Sequence, residues 1–262
     1  MNAHPLMPVS VSDARPPAAV RPAVDIAITA KTFAAAAGRP AQPVLRNVTI
    51  AVEPRSFLVI TGPSGCGKST LLNIVAGLDT QYEGTLRFAA LDPRLAFIFQ
   101  TPRLLPWRTV EENIALPLPP GDRRRANIPE LLARVGLSGA ETAYPERLSL
   151  GMQRRVAIAR GFVLEPDILL MDEPFVSLDD PTADALRALV VELWRRTATT
   201  VLFVTHDRSE AVRLASRIVR LDVLADGMVS NLAGDISVTL TDAERRDPAT
   251  LSALQSKVFS CP

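Results

Sequence analysis

The loop Gly62-Pro63-Ser64-Gly65-Cys66-Gly67-Lys68-Ser69-Thr70 constrains the fold more than any other stretch of this chain. A short apolar run, SFLVIT, leads straight into it, and the helical STLLNIVAGL overlaps its end. The loop fits G-x-x-x-x-G-K-[S/T] in full, in the strand-to-helix setting that gives the motif its meaning. Its glycines let backbone N–H groups come close to phosphates. Lys68 is then placed for the β- and γ-phosphates and Ser69 for Mg²⁺. The plain rival is a chance glycine-rich turn, against which stands an acidic strand end about a hundred residues later (Asp172).

The 262 residues allow one large domain or two small ones, and 47% apolar residues support a substantial core. A net charge of +1 does not advertise a nucleic-acid partner. Cys66 and Cys261 make no disulfide framework. Cys66 reads as a small filler inside the loop, and a reducing compartment is expected. No run approaches the roughly 18 apolar residues of a membrane span. Residues 1–23 are rich in Pro and Ala without a compact apolar block after basic residues, so a disordered leader is expected there rather than a secretory signal. The chain should be soluble and cytoplasmic, touching a membrane only through a partner.

Along the chain, VDIAIT and VLRNVTIAV read as strands with a turn region from Gly38 to Pro43 between them. GTLRF and RLAFIFQ are two further strands. TVEENIALPL opens on Thr109 with Glu112 three residues on, a capping box. The stretch from Gly121 to Tyr144 is basic, polar and helical, and reads as an inserted lobe. PDILLMDEP is a buried strand ending in two carboxylates. Asp180-Pro181 opens a long helix to Arg196, and TVLFVTHD is another buried strand. Asp207 with Glu210 makes a second capping box. IVRLDVL, GMVSNL and DISVTL close the domain as short strands. Apolar strands alternating with helices mean an α/β core with a parallel sheet.

Asp172 ends ILLMDE at the carboxyl edge of that sheet, where a second Mg²⁺ contact belongs. Glu173 is positioned to polarise an attacking water. A solvated acidic strand end is the alternative. His206 follows TVLFVT at the same edge, where a neutral imidazole can bond a γ-phosphate or order that water. Gln100, ending LAFIFQ, offers a neutral amide to Mg²⁺ or water. The Leu104-Leu105-Pro106-Trp107 stretch after it suits either a partner groove or simple core packing. A second anion-binding helix mouth stands at Ser149 to Gly151 in PERLSLGMQRRVAIAR.

Together these residues resemble the ATPase subunit of an ATP-binding-cassette (ABC) transporter, from about Val24 to Leu240. The phosphate loop, the glutamine loop at Gln100, the signature LSLGM, the acidic strand ILLMDE, the following SLDD and the histidine His206 come in the family's order. The resemblance implies a P-loop core with a mostly parallel sheet, an antiparallel β subdomain and a helical subdomain inserted at about 101–165. Residues 241–262 are left as a tail expected to be helical. It implies ATP and Mg²⁺, with Lys68, Gln100, Glu173 and His206 serving hydrolysis and Ser69, Gln100 and Asp172 holding the metal. Two subunits would stack head to tail, so that Ser149 and Gly151 grip the γ-phosphate bound to the partner's loop. This accounts for two grips per chain; Ser149 would also cap its own helix. Asp179 would bridge the dimer, Phe33 would stack on adenine, and the lobe near Trp107 would receive a short helix from a permease subunit.

One position departs from the family's usual Leu-Ser-Gly-Gly: residue 150 is leucine. Either it has ordinary helical geometry and faces away from the phosphate, or the grip is weakened. The segment TPRLLPWRTVEENIALPL is most similar to the nitrate/sulfonate/taurine-type importers, which implies an external solute-binding protein and a site at the cytoplasmic face of the inner membrane. The rival is a soluble cassette protein acting on DNA or ribosomes. Such proteins carry a long coiled-coil insertion or two cassettes, neither of which is present here. A small-molecule kinase using the same loop would leave the signature helix and His206 without a role.

Overall fold

Strands buried on both faces read as unbroken apolar runs. Three do so here: β3 (Phe57–Thr61), β6 (Ile168–Asp172) and β7 (Thr200–Val204). A computed structural model describes residues 21–35, 40–224, 227 and 229–259. The other strands are β1 (Val24–Phe33), β2 (Gln42–Val52), β4 (Glu83–Phe88), β5 (Leu95–Ile98), β8 (Arg217–Val223) and β9 (Ser230–Ser237). The described residues form a nine-stranded sheet in the order β4-β1-β2-β9-β8-β3-β7-β6-β5. β5, β6, β7, β3 and β8 run parallel, and β1 pairs antiparallel with both β2 and β4. Among the described residues, Leu45 pairs with Ser230 to join the two parts.

Among the described residues, seven α-helices surround the sheet: α1 (Lys68–Val75), α2 (Val110–Ala115), α3 (Ile128–Arg134), α4 (Leu150–Phe162), α5 (Asp180–Arg196), α6 (Arg208–Leu214) and α7 (Pro248–Phe259). Because side chains alternate across a strand, β3 feeds two cores. Phe57 and Val59 join Met171, Phe203 and residues of the later helices, such as Val156 and Leu186. Leu58 and Ile60 join Leu71 and Ile74 of α1 with Ile26 and Ile50 of the antiparallel strands. The core on the α4 and α5 side also takes Leu251, Leu254 and Val258 from α7, so the segment after Leu240 is packed onto the domain. Among the described residues, no helix is long and apolar enough to cross a membrane.

The capping box at α2 is present in both directions: Glu112 N donates to Thr109 Oγ1 and Thr109 N to the Glu112 carboxylate. The second expected box is not. Asp207 caps α6 by accepting from Ser209 and Glu210 N–H groups. Glu210's carboxylate turns inward instead, accepting from Thr205 Oγ1 at 2.7 Å and pairing with Arg187. It is buried, and a buried carboxylate goes where its partners are. The two strands expected from GMVSNL and DISVTL are one, β9, kinked by a register shift opposite Arg220 and Leu221. Most of the expected leader and part of the Gly38–Pro43 turn lie outside the described residues.

Candidate functional site

β3 ends at Thr61, and the phosphate loop then turns into α1. The turn needs Gly67, which caps α1 at φ 92°; a Cβ there would stand 2.7 Å from a Leu45 methyl and 2.8 Å from one of Val44. Cys66 is buried among these apolar groups, as a filler would be. Burial pushes its thiol pKa up, against the pull of Lys68. Lys68, only 5% exposed, aims its ammonium into the loop and donates to the carbonyls of Gly62 (3.0 Å) and Pro63 (2.8 Å). A cavity of about 390 Å³ beside the loop is lined by Pro63, Ser64 and His206, among others.

The next residue, Ser69, reaches across to the acidic strand. Its Oγ donates to Asp172 Oδ1 at 3.0 Å. Burial raises the Asp172 pKa, and the Ser69 hydrogen bond opposes that rise. A hydroxyl and a carboxylate in contact are hard oxygen donors of the kind Mg²⁺ takes, so this pair fits the expected metal. Gln100 is exposed two residues beyond β5, the strand beside β6.

Glu173 follows Asp172 with its backbone in the left-handed region, at φ 43°. That is uncommon for a residue with a Cβ and typical of functional sites. Its N–H bonds Val204 O at 3.0 Å, and its carboxylate lies 3.1 Å from His206 Nδ1. The ends of two adjacent parallel strands thus bring a carboxylate and an imidazole together at the edge where the loop sits. With Nδ1–H donating to Glu173, His206 keeps Nε2 as an acceptor.

The signature lies elsewhere. Ser149 caps α4, its Oγ accepting from Met152 N at 3.3 Å. Gly151 is packed near Thr182, on the first turn of α5. Asp179 caps α5 by accepting from Thr182 N at 3.1 Å, and these hydrogen bonds lower its pKa. Among the described residues, no hydrogen bond joins Ser149 or Gly151 to the chain's own phosphate loop. Leu150 begins α4 in helical geometry, with its side chain 42% exposed. Left-handed φ among described non-glycine residues is confined to Asn47, Arg55, Arg103, Glu165, Glu173 and Ser177. Leu150 is therefore not in the left-handed conformation that a glycine there would tolerate.

Phe33 ends β1 with its ring half exposed. Trp107 is 69% exposed, whereas Leu104 packs against the larger core, so the apolar stretch there is split between surface and interior. One connection was not read from the sequence. Arg154 of α4 is buried and donates to the carbonyls of Pro174 and Val176, tying the signature helix to the segment after Glu173. Arg154 belongs to none of the motifs read from the sequence; only its charge on an otherwise core-facing helix position hints at a buried partner.

The family profile described as "ABC transporter" matches residues 45–176. The chain is 41% identical over 244 residues to the aliphatic sulfonates import ATP-binding protein SsuB of Bacillus subtilis (strain 168), covering 91% of this chain and 93% of that one. It is 42% identical over 227 residues to the aliphatic sulfonates import ATP-binding protein SsuB 1 of Streptomyces avermitilis, covering 84% and 85%. Among solved structures, it resembles the ATP-binding cassette MJ0796 in a dimeric post-hydrolysis state bound to ADP and phosphate. That likeness has a TM-score of 0.70 and 32% identity, over 83% of this chain and all of the other.

Proposed function

The chain belongs to the ABC transporter family as an ATP-binding and ATP-hydrolysing importer subunit, and we propose that it drives uptake of small aliphatic sulfonates as one of two such subunits on a membrane permease. The observation that carries this reading is a likeness to sulfonate-import ATPases that runs nearly the whole length of both chains. An external solute-binding protein delivers the solute, and the ATPase pair sits peripherally on the cytoplasmic face of the inner membrane. Trp107, exposed beside the helical lobe, faces the permease.

In the proposed site, Gly62 to Thr70 wrap the ATP phosphates and Phe33 stacks on the base. Lys68 leaves its carbonyl partners for the β- and γ-phosphates. Ser69 and Asp172, together with Gln100, would hold Mg²⁺, which would supply positive charge to neutralise the phosphates. Glu173 takes a proton from the attacking water as the bond from the γ-phosphorus to the ADP oxygen breaks. His206 holds Glu173 through Nδ1–H, and its Nε2 accepts from the attacking water. Ser149 and Gly151 of the second subunit close the site over the γ-phosphate, and Asp179 lies at that junction.

The test is reconstitution in vesicles with a candidate permease and solute-binding protein from the same organism. ATP hydrolysis should rise with an aliphatic sulfonate outside, and labelled sulfonate should accumulate within. Stimulation by another solute class and not by sulfonates would overturn the substrate. Co-purification with nucleic acid in place of a membrane protein would favour the soluble cassette reading.

A further inference from the structure

Lys31 is an unusual residue to find inside a β-sandwiching core. It is 1% exposed and ranks among the largest fully buried side chains of the described residues. Its burial follows from a change of phase in β1. Val24, Ile26 and Ile28 face inward at even positions, and then the inward face moves to the odd-numbered Lys31. The β1–β4 register shifts between Ile28 and Ala30, and the β1–β2 register shifts between Lys31 and Thr32. Gly84 sits opposite Ile28 at the first shift with φ 135°, and a Cβ there would stand 2.1 Å from Ala27 O. Only glycine lets β4 approach that closely. Such bulges re-aim side chains near sites.

The re-aimed ammonium has three partners. It donates to Asp79 Oδ1 at 2.7 Å and to Gln81 O at 2.8 Å, and it lies 4.5 Å from the centre of the Phe33 ring. Asp79 and Gln81 belong to the turn that leaves α1, the helix that begins at Lys68. One buried cation therefore links the Phe33 ring to the far end of the helix that carries the phosphate loop. It holds one face of the ring and leaves the half-exposed ring its other face.

We propose that Lys31 is a positioning residue for nucleotide binding: anchored by Asp79 and Gln81, it fixes the Phe33 ring at a set distance from the phosphate loop so that the free face meets the base of ATP. The proposal rests on Phe33 being the base platform. Lys31 touches neither base nor phosphate and acts only through the ring.

The experiment measures equilibrium binding of ATP and of inorganic tripolyphosphate to the full chain, in five proteins: wild type, Phe33→Ala, Lys31→Met/Asp79→Asn, the combination of all three changes, and Lys31→Gln. The double neutral variant avoids a stranded carboxylate; Lys31→Gln, which keeps a donor toward the Gln81 carbonyl, serves as a second test of the charge. ATP affinity should fall about fivefold to tenfold in the Lys31 variants, between the sizes of an exposed and a desolvated cation–ring contact. Tripolyphosphate affinity should stay within about twofold, and the combined variant should lose no more than Phe33→Ala alone. Equal losses for both ligands would make Lys31 a general support of the fold and overturn the proposal. So would an unchanged ATP affinity in both Lys31 variants while Phe33→Ala weakens it. If Phe33→Ala itself binds ATP as wild type does, the base-platform reading fails first, and the role of Lys31 with it.

Discussion

The two anion grips of this chain are built in opposite ways. The loop from Gly62 to Thr70 is closed around its lysine: Lys68 and Cys66 are buried, and Ser69 is engaged with Asp172. The Ser149–Gly151 turn is open. It stands at the exposed mouth of α4, with Leu150 half exposed and Ser149 occupied only in capping its own helix. One grip is finished within the chain, while the other offers a helix N-terminus outward. A grip that none of the described residues of its own chain uses for phosphate is intelligible as the missing wall of another molecule's site, and this is why the dimer belongs to the proposed mechanism.

If that contrast holds, damage to the closed grip should remove everything. Lys68→Ala deletes a buried cation that no neighbour replaces, and ATPase activity should fall about a hundredfold to a thousandfold, the range for losing one fixed electrostatic contact. ATP binding should weaken with it. Wild-type turnover in this variant, assayed with the permease present, would remove the loop from the mechanism.

Glu173→Gln separates closing from chemistry. The amide keeps the shape, still reaches His206 and cannot accept a proton. Turnover should drop about a hundredfold, within the range for a lost general base, while ATP still binds. The variant should then accumulate as an ATP-bound dimer in size-exclusion chromatography. An ATP-loaded monomer would break the contrast, because the open grip would have found no partner.

These two residues also mark what the sequence carries and what it leaves silent. The loop, the strand ends at Asp172 and His206 and the cap at Thr109 are local: a few adjacent residues state them, and strand-to-helix spacing supplies the context. The contact between Glu173 and His206 depends on β6 and β7 being neighbours, which apolar runs alone do not order. Glu210 fits the capping pattern as well as Glu112 does, yet it is drawn inward by Thr205 and Arg187, partners that are distant or hidden behind a turn. The phase change in β1 that buries Lys31 is set by Gly84, more than fifty positions away in sequence. Long-range pairing decides each of these, and no periodicity reports it.

Ser149→Asp isolates the open grip. Aspartate is as good an N-cap as serine, so α4 and the melting temperature should be kept. A carboxylate pointed at the partner's phosphate should nonetheless lower ATPase activity about tenfold or more, a barrier change near 1.4 kcal/mol. Nucleotide affinity of the isolated chain should not move. A fall in that affinity would mean that Ser149 serves its own loop, and the division between the grips would be wrong.

The smallest effect is expected at Leu150, where the family's glycine is missing. Since Leu150 opens α4 with helical backbone, glycine has no strain to relieve there. It adds freedom to the unfolded chain and should destabilise the helix by roughly 0.5–1 kcal/mol, less if the first turn frays. Removing a half-exposed leucine side chain deletes little packing. Turnover should change by less than about tenfold, because Ser149 and Gly151 carry the phosphate contacts and neither moves. A thermal melt and an ATPase assay of Leu150→Gly beside wild type measure both numbers. A large gain in rate would show that the leucine obstructs the outward grip. In that case the exposed turn, though correctly capped and correctly folded, would be a weakened wall, and the closed loop would carry more of the work than a symmetric pair of sites allows.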